Sequence, residues 1–194
     1  MSAEPFSLIR AIAHLLASYP HPWWIAGGWA IDLFLGQVTR EHHDLEIGVF
    51  REHQIALRNH LGGWSLSRCA DGTWTKWDAG GWIGQPDFQM KAARRDATPN
   101  EFDLFLDDLV HGQWQCRRCP AILLPLDGFA LKASVVPVRF LRPEIQLLYK
   151  AKYHRPQDEH DFENAFPRMS DEQRCWLGDS LRLCYTDDPW LARL

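Results

Sequence analysis

Long apolar runs are missing from this chain. Runs such as Trp23–Ala26, Trp29–Ile31 and Leu33–Leu35 are short. They fall far short of the roughly 20 residues that span a bilayer, which excludes a helical membrane protein. Residues Met1–Arg10 include Glu4 and Pro5 and lack the basic-then-apolar layout of a secretion signal, so a cytoplasmic protein is expected. An excess of basic charge is missing too: 21 Lys and Arg stand against 25 Asp and Glu, for a net charge of −4. That balance argues against a partner bound through nucleic-acid phosphates. Lysine is scarce, five residues beside sixteen arginines, and arginine favours planar, bidentate contacts. A second C-x-x-C is also absent. The single one, Cys116–Cys119, lacks the further pair that a structural zinc site requires. It is expected to be two small residues on a strand, and the odd total of five cysteines suggests reduced thiols.

What is present describes an ordinary globular chain. It has 194 residues, 46% apolar and 24% charged, enough for one domain with a small appendage. Ten tryptophans are many for this length. They are expected to form core and cleft walls, Trp23–Trp24 and Trp74–Trp77 included.

Apolar spacing predicts a helix over residues 6–19, ending before Pro20. A short buried strand, Trp24–Ala26, runs into Gly27-Gly28, and a short helix over 29–35 stops at Gly36. Asp44–Phe50 alternates as a strand, with Leu45, Ile47 and Val49 on one face and Asp44, Glu46 and Gly48 on the other. A helix is expected over 51–61, and strands near 64–69, 73–77, 86–91 and 113–118. Glu101–Leu106 is a second alternating strand, with Glu101, Asp103 and Phe105 sharing a face. From Pro143 the pattern turns helical: 143–153, 158–165 and 170–185, the last opened by a Ser170–Gln173 capping box. The fold class expected is α/β (α+β), a mixed sheet flanked by helices over 1–138 and a helical C-terminal segment over 139–194.

Asp44 and Glu46, two apart on a strand, stand about 7 Å apart at the backbone, a natural span for sharing a hard divalent cation. Asp103, with the same phase on another strand, is a candidate third ligand. Three carboxylates holding Mg²⁺ serve in-line phosphoryl or nucleotidyl transfer. The strand–Gly-Gly–helix turn upstream exposes backbone amides suited to phosphate.

The run Ile25-Ala26-Gly27-Gly28-Trp29-Ala30-Ile31-Asp32, continued by Gly36, Thr39-Arg40, His42 and Asp44-Leu45-Glu46-Ile47, resembles the opening of the aminoglycoside and lincosamide nucleotidyltransferases. These are members of the DNA polymerase β-like nucleotidyltransferase superfamily. Glu101–Leu106 resembles the strand carrying that family's third carboxylate, and 143–162 its C-terminal helical segment. Glu46 stands where Asp is commoner.

The resemblance implies a nucleotidyltransferase fold and the transfer of a nucleoside monophosphate, AMP from ATP, to a small-molecule hydroxyl. Asp44, Glu46 and Asp103 would be catalytic and bind Mg²⁺, with Asp103 or Glu101 as general base. Gly27, Gly28, Arg40, His42 and Lys150 would contact the nucleotide. Asp32 is expected to brace the Thr39-Arg40 loop, and Asp158 and Asp161 to be structural. Other acceptors, RNA or protein, and a non-catalytic nucleotide-binding module are the competing readings.

Overall fold

The computed structural model describes residues 4–78 and 80–194. Its first helix, α1 (Ser7–Leu15), ends earlier than the spacing predicts: Ile9 and Ile12 are buried, and a turn carries Leu16 into the core. Strand β1 (Trp23–Ala26) passes directly into α2 (Gly27–Leu35). The glycine pair therefore begins the helix instead of preceding it. Helix α2 is apolar on nearly every side, as a central helix must be, and residues 27–33 are all buried. Gly36, at φ 72°, ends it in the left-handed region open to glycine.

Strand β2 (Glu46–Phe50) is shorter than predicted, with Asp44 in the loop just before it. A 3₁₀ turn over Arg51–His53 leads into α3 (Gln54–His60). Four longer strands follow: β3 (Ser65–Ala70), β4 (Thr73–Lys76), β5 (Gln89–Ala93) and β6 (Glu101–Val110). Then come four of three residues each: β7 (Gln113–Gln115), β8 (Leu123–Pro125), β9 (Ala130–Lys132) and β10 (Arg139–Leu141). The last three carry too few residues for an alternation to show, and the sequence pattern missed them. The C-terminal helices are α4 (Pro143–Lys150), α5 (Pro156–Ala165) and α6 (Asp171–Cys184). Ser170 and Gln173 form the expected reciprocal cap on α6.

The fold is a mixed α/β sheet flanked by helices. Its strand order is β4-β3-β5-β6-β2-β1-β10-β9, with β7 and β8 branching from β6. The pairs β2–β6 and β1–β10 are parallel, and β1–β2 and β5–β6 antiparallel. Arg139–Leu141 thus completes the sheet, and the helical part begins at Pro143. Ile25, Ile47, Val49, Leu104 and Leu106 are buried on one face of the central strands. Helix α2 packs against α4 and α5. Among the described residues no helix is long and apolar enough to cross a membrane.

Candidate active site

A cleft of about 470 Å³ opens where β2 and β6 meet the start of α2 and the end of α4. Trp24 lies against Gly48, so closely that a β-carbon there would come within 2.1 Å of its indole nitrogen. The glycine on the carboxylate face of β2 is thus the space into which the cleft wall fits. Asp44, Glu46 and Asp103 all line this cleft. Glu46 and Asp103 are direct partners in the parallel ladder, and the Asp103 amide donates to Leu45 O at 2.8 Å.

The alternation read in the sequence therefore brings the three carboxylates together, although Asp44 is outside the strand proper. Their charges are poorly compensated. Burial, then the neighbouring Asp44, push the Glu46 carboxyl up to about 7. Burial also raises Asp103, against the pull of Lys91. Asp103 Oδ1 is buried without a hydrogen bond, the Lys91 ammonium standing 3.8 Å away. Lys91 bonds instead to Glu101 at 2.9 Å. Glu101 is exposed and lies outside the lining of this cleft, leaving Asp103 as the carboxylate of β6 that faces Glu46.

The glycine pair is closely packed. The Gly27 amide already donates to Gln146 Oε1 at 2.9 Å, which binds the turn to α4. At φ 66°, a β-carbon on Gly27 would also meet the Glu46 carboxyl at 2.8 Å. One on Gly28 would strike Arg40 and His42 at 2.2 and 2.6 Å. Both glycines are there because side chains cross them closely.

Arg40 and His42 lie outside the cleft lining. Arg40 makes a two-pronged pair with Asp161 at 2.8 and 2.9 Å. His42 stands 2.5 Å from Asp32 Oδ2 and packs on Trp29. The other Asp32 oxygen accepts from the Thr39 amide and hydroxyl at 3.1 and 2.6 Å, the bracing role expected of Asp32. These motif residues brace the loop that carries Asp44, with Arg40 paired to Asp161 and His42 to Asp32.

Lys150 does line the cleft. Its ammonium bonds Asp158 at 3.0 Å and Asp161 at 2.8 Å, and Arg155 also pairs with Asp158. Asp158 and Asp161 are fully buried; they anchor the cations and do not face the floor of the cleft.

The sequence reading missed the wall opposite. The Arg117 guanidinium lies 4.6 Å from Phe88, 5.0 Å from Tyr149 and 5.2 Å from Phe105, and pairs with Asp107 at 2.5 Å. Trp114 Nε1 donates to the other Asp107 oxygen at 2.7 Å. Burial works against the charge on Arg117, yet Asp107 prevails and holds the guanidinium well above its ordinary pKa. Of the strand expected near 113–118, Gln113–Gln115 forms and the rest turns away. β7 ends at Gln115, and the Cys116 amide donates to Ile122 O, closing a bend that aims Arg117 and Arg118 into the cleft. All the cysteines are free. Phe105, on the same face as Asp103, was the one legible hint of this wall.

The mixed sheet and its flanking helices have the fold of solved nucleotidyltransferases. The antibiotic-resistance factor ANT(2'')-Ia superimposes with a TM-score of 0.63 at 19% identity, over 93% of this chain and 92% of that one. Its complex with adenylyl-2''-tobramycin gives 0.61 at 20%, over 91% and 95%. The lincosamide adenylyltransferase LnuA, bound to lincomycin, gives 0.59 at 18%, over 82% and 94%.

Sequence likeness is confined to the first third of the chain. Residues 8–75 match the aminoglycoside-2''-adenylyltransferase family. The 2''-aminoglycoside nucleotidyltransferases of Escherichia coli and Klebsiella pneumoniae are 49% identical over 66 residues, 32% of this chain. The chain covers 37% of the length of those relatives. The resemblance to aminoglycoside and lincosamide nucleotidyltransferases thus rests on sequence in the first third and on fold throughout.

Proposed function

We propose that this chain is a magnesium-dependent nucleotidyltransferase that moves AMP from ATP to a hydroxyl of an aminoglycoside- or lincosamide-like small molecule. One observation carries the reading: Asp44, Glu46 and Asp103 converge on one cleft with too little positive charge beside them. A buried Asp103 oxygen without a hydrogen bond and a Glu46 carboxyl lifted by burial and by Asp44 suit an added divalent cation. Oxygen ligands of this kind suit Mg²⁺. Among the described residues no cluster of three or more His, Cys, Asp or Glu side chains forms a cage for a metal.

Asp44 and Glu46 are the residues that would hold the ion, which when bound draws off negative charge from the phosphates. Asp103 completes this set or takes the proton of the acceptor hydroxyl. The hydroxyl oxygen bonds to the α-phosphorus, the bond to the β-phosphate oxygen breaks, and pyrophosphate leaves. Gln146, through Gly27, and the Asp32–His42 pair keep the carboxylates in place. The acceptor class comes from the relatives, whose antibiotics define it.

The test is pyrophosphate release with ATP, GTP, CTP and UTP in Mg²⁺, across aminoglycosides, lincosamides, RNA and protein acceptors. Acceptor-dependent release with ATP should fall at least about 1000-fold in Asp44→Asn, with an unchanged melting temperature because Asp44 is exposed. A variant that retains its rate would refute the site.

A further inference from the structure

Asp44 and Asp103 border a second hollow besides the cleft. It holds about 720 Å³ and reaches from these carboxylates to the loop between β5 and β6. The same two acids therefore stand between two spaces. In-line displacement needs the attacking and the leaving oxygen on opposite sides of the phosphorus. With the nucleotide in the cleft, the hollow is the side from which an acceptor hydroxyl reaches it.

The charge of this hollow bears on what can enter. Among the described residues its lining carries three acids, Asp44, Glu101 and Asp103, and two strong bases, Lys91 and Arg95. Lys91 is the partner of Asp103 in the β5–β6 ladder. Its ammonium bonds Glu101 at 2.9 Å, stands 3.8 Å from Asp103, and lies 5.6 Å from the centre of the Trp74 ring. Glu101 is thus already covered. Arg95 belongs to the loop that the Arg94 amide closes on Asn100 O at 2.8 Å. Arg94 pairs with Asp96, whereas Arg95 forms no ion pair among the described residues and is exposed. Asp44 and Asp103 belong to the proposed reaction. No acid of the lining is then left to receive an ammonium group, and a polyamine meets two cations of its own sign.

Resting on the reading that the cleft takes a nucleoside triphosphate, we propose that Lys91 and Arg95 determine acceptor specificity, admitting hydroxyl-rich compounds with at most one positive charge and rejecting polyamino sugars. Lys91 acts by occupying Glu101, and Arg95 by its uncompensated charge. Specificity here comes from repulsion of the wrong acceptor more than from new contacts to the right one.

The experiment is calorimetric titration of the full chain, at low ionic strength, with lincomycin as the monobasic probe and tobramycin as the polyamine. The wild type should bind lincomycin at least about tenfold more tightly, and added salt should narrow that gap by screening the repulsion. In Lys91→Met/Arg95→Gln, tobramycin should tighten about 100-fold, because two like charges go and Glu101 is laid bare. Lincomycin should shift less than about threefold, since it carries little charge to repel. Lys91→Arg should keep the wild-type preference, which separates charge from packing. Each single variant should give about tenfold, which covers the case of a double variant that does not fold. A wild type that prefers tobramycin, or variants that gain nothing for it, would overturn the charge filter. Pyrophosphate release lost in Asp44→Asn would still support the transferase. Binding of Mg-ATP but of neither probe, in wild type and variants alike, would overturn the filter together with the acceptor class. A chain that binds no Mg-ATP would overturn the transferase reading itself.

Discussion

The helical side of the cleft and its sheet side both bury carboxylates, and they treat them in opposite ways. On the helical side, burial alone would raise Asp158 and Asp161. Arg155 and Lys150 at the first, Arg40 and Lys150 at the second, override it and hold both below the usual carboxylate range. Every charge there has a partner within about 3 Å. On the sheet side, Glu46 and Asp103 are pushed upward, and Asp103 keeps an oxygen without a hydrogen bond. The same residue types thus serve two purposes. Paired acids fix α5 to α4 and to the loop before β2. Under-compensated acids line the cleft with their charge only partly offset. In this fold the state of pairing, more than the residue type or its closeness to the motif, separates framework from chemistry.

Three substitutions would break or sharpen that contrast. The largest effect on stability should follow Asp161→Ala. It strands Arg40 and removes one of the two carboxylates of Lys150, and breaking a buried pair in this way costs about 3 kcal/mol. Chemical denaturation should show that loss, and a change below about 1 kcal/mol, the value of a surface pair, would remove Asp161 from the framework.

Glu46→Gln should act in the other direction. The folded-state value of Glu46, about 7, lies above its ordinary 4.5. The folded protein therefore binds the proton more tightly, and stability falls as pH rises from about 4.5 through 7. The amide escapes this loss. It should stabilise the protein by roughly 2 kcal/mol at pH 8 and by nothing measurable at pH 4. Added Mg²⁺ with ATP should raise the melting temperature of the wild type far more than that of the variant. A variant less stable than wild type at pH 8 would contradict the crowding of charge.

The smallest effect should come from Thr39→Val, which removes the hydroxyl bond to Asp32 and costs about 1 kcal/mol. Turnover should be nearly unchanged, because Thr39 only steadies the loop. A loss of activity larger than the loss of stability would bring the Asp32 brace into the chemistry.

The carboxylate face was legible because strand alternation is a strict period: Leu45, Ile47 and Val49 sink into the core, which leaves Asp44, Glu46 and Gly48 no other side. Asp103 followed from the same rule on β6. The glycine pair and Arg40 were legible as a motif, but their packing partners were not. Spacing along the chain does not show that Gly28 is crossed by Arg40 and His42, or that Arg40 reaches back to Asp161, 121 residues away. The cation wall was illegible for a similar reason. Phe88, Phe105, Arg117 and Tyr149 come from four separate segments, and no local period links them. The pair Arg117-Arg118 lies between Cys116 and Cys119 in a bend with no period of its own.

One strand bears on how the protein is made. Strand β1 sits between β2 and β10, and β10 is residues Arg139–Leu141. During synthesis the first half of the chain can pair β1 with β2, but the far edge of β1 stays bare until residue 141 has emerged. The Gly27 amide waits further still, for Gln146. Such distant pairings are slow to close and leave strand edges open to wrong partners in the meantime. The glycine turn met first by the ribosome is among the last parts of the cleft to be locked, so catalytic competence would report that synthesis had reached the C-terminal helices.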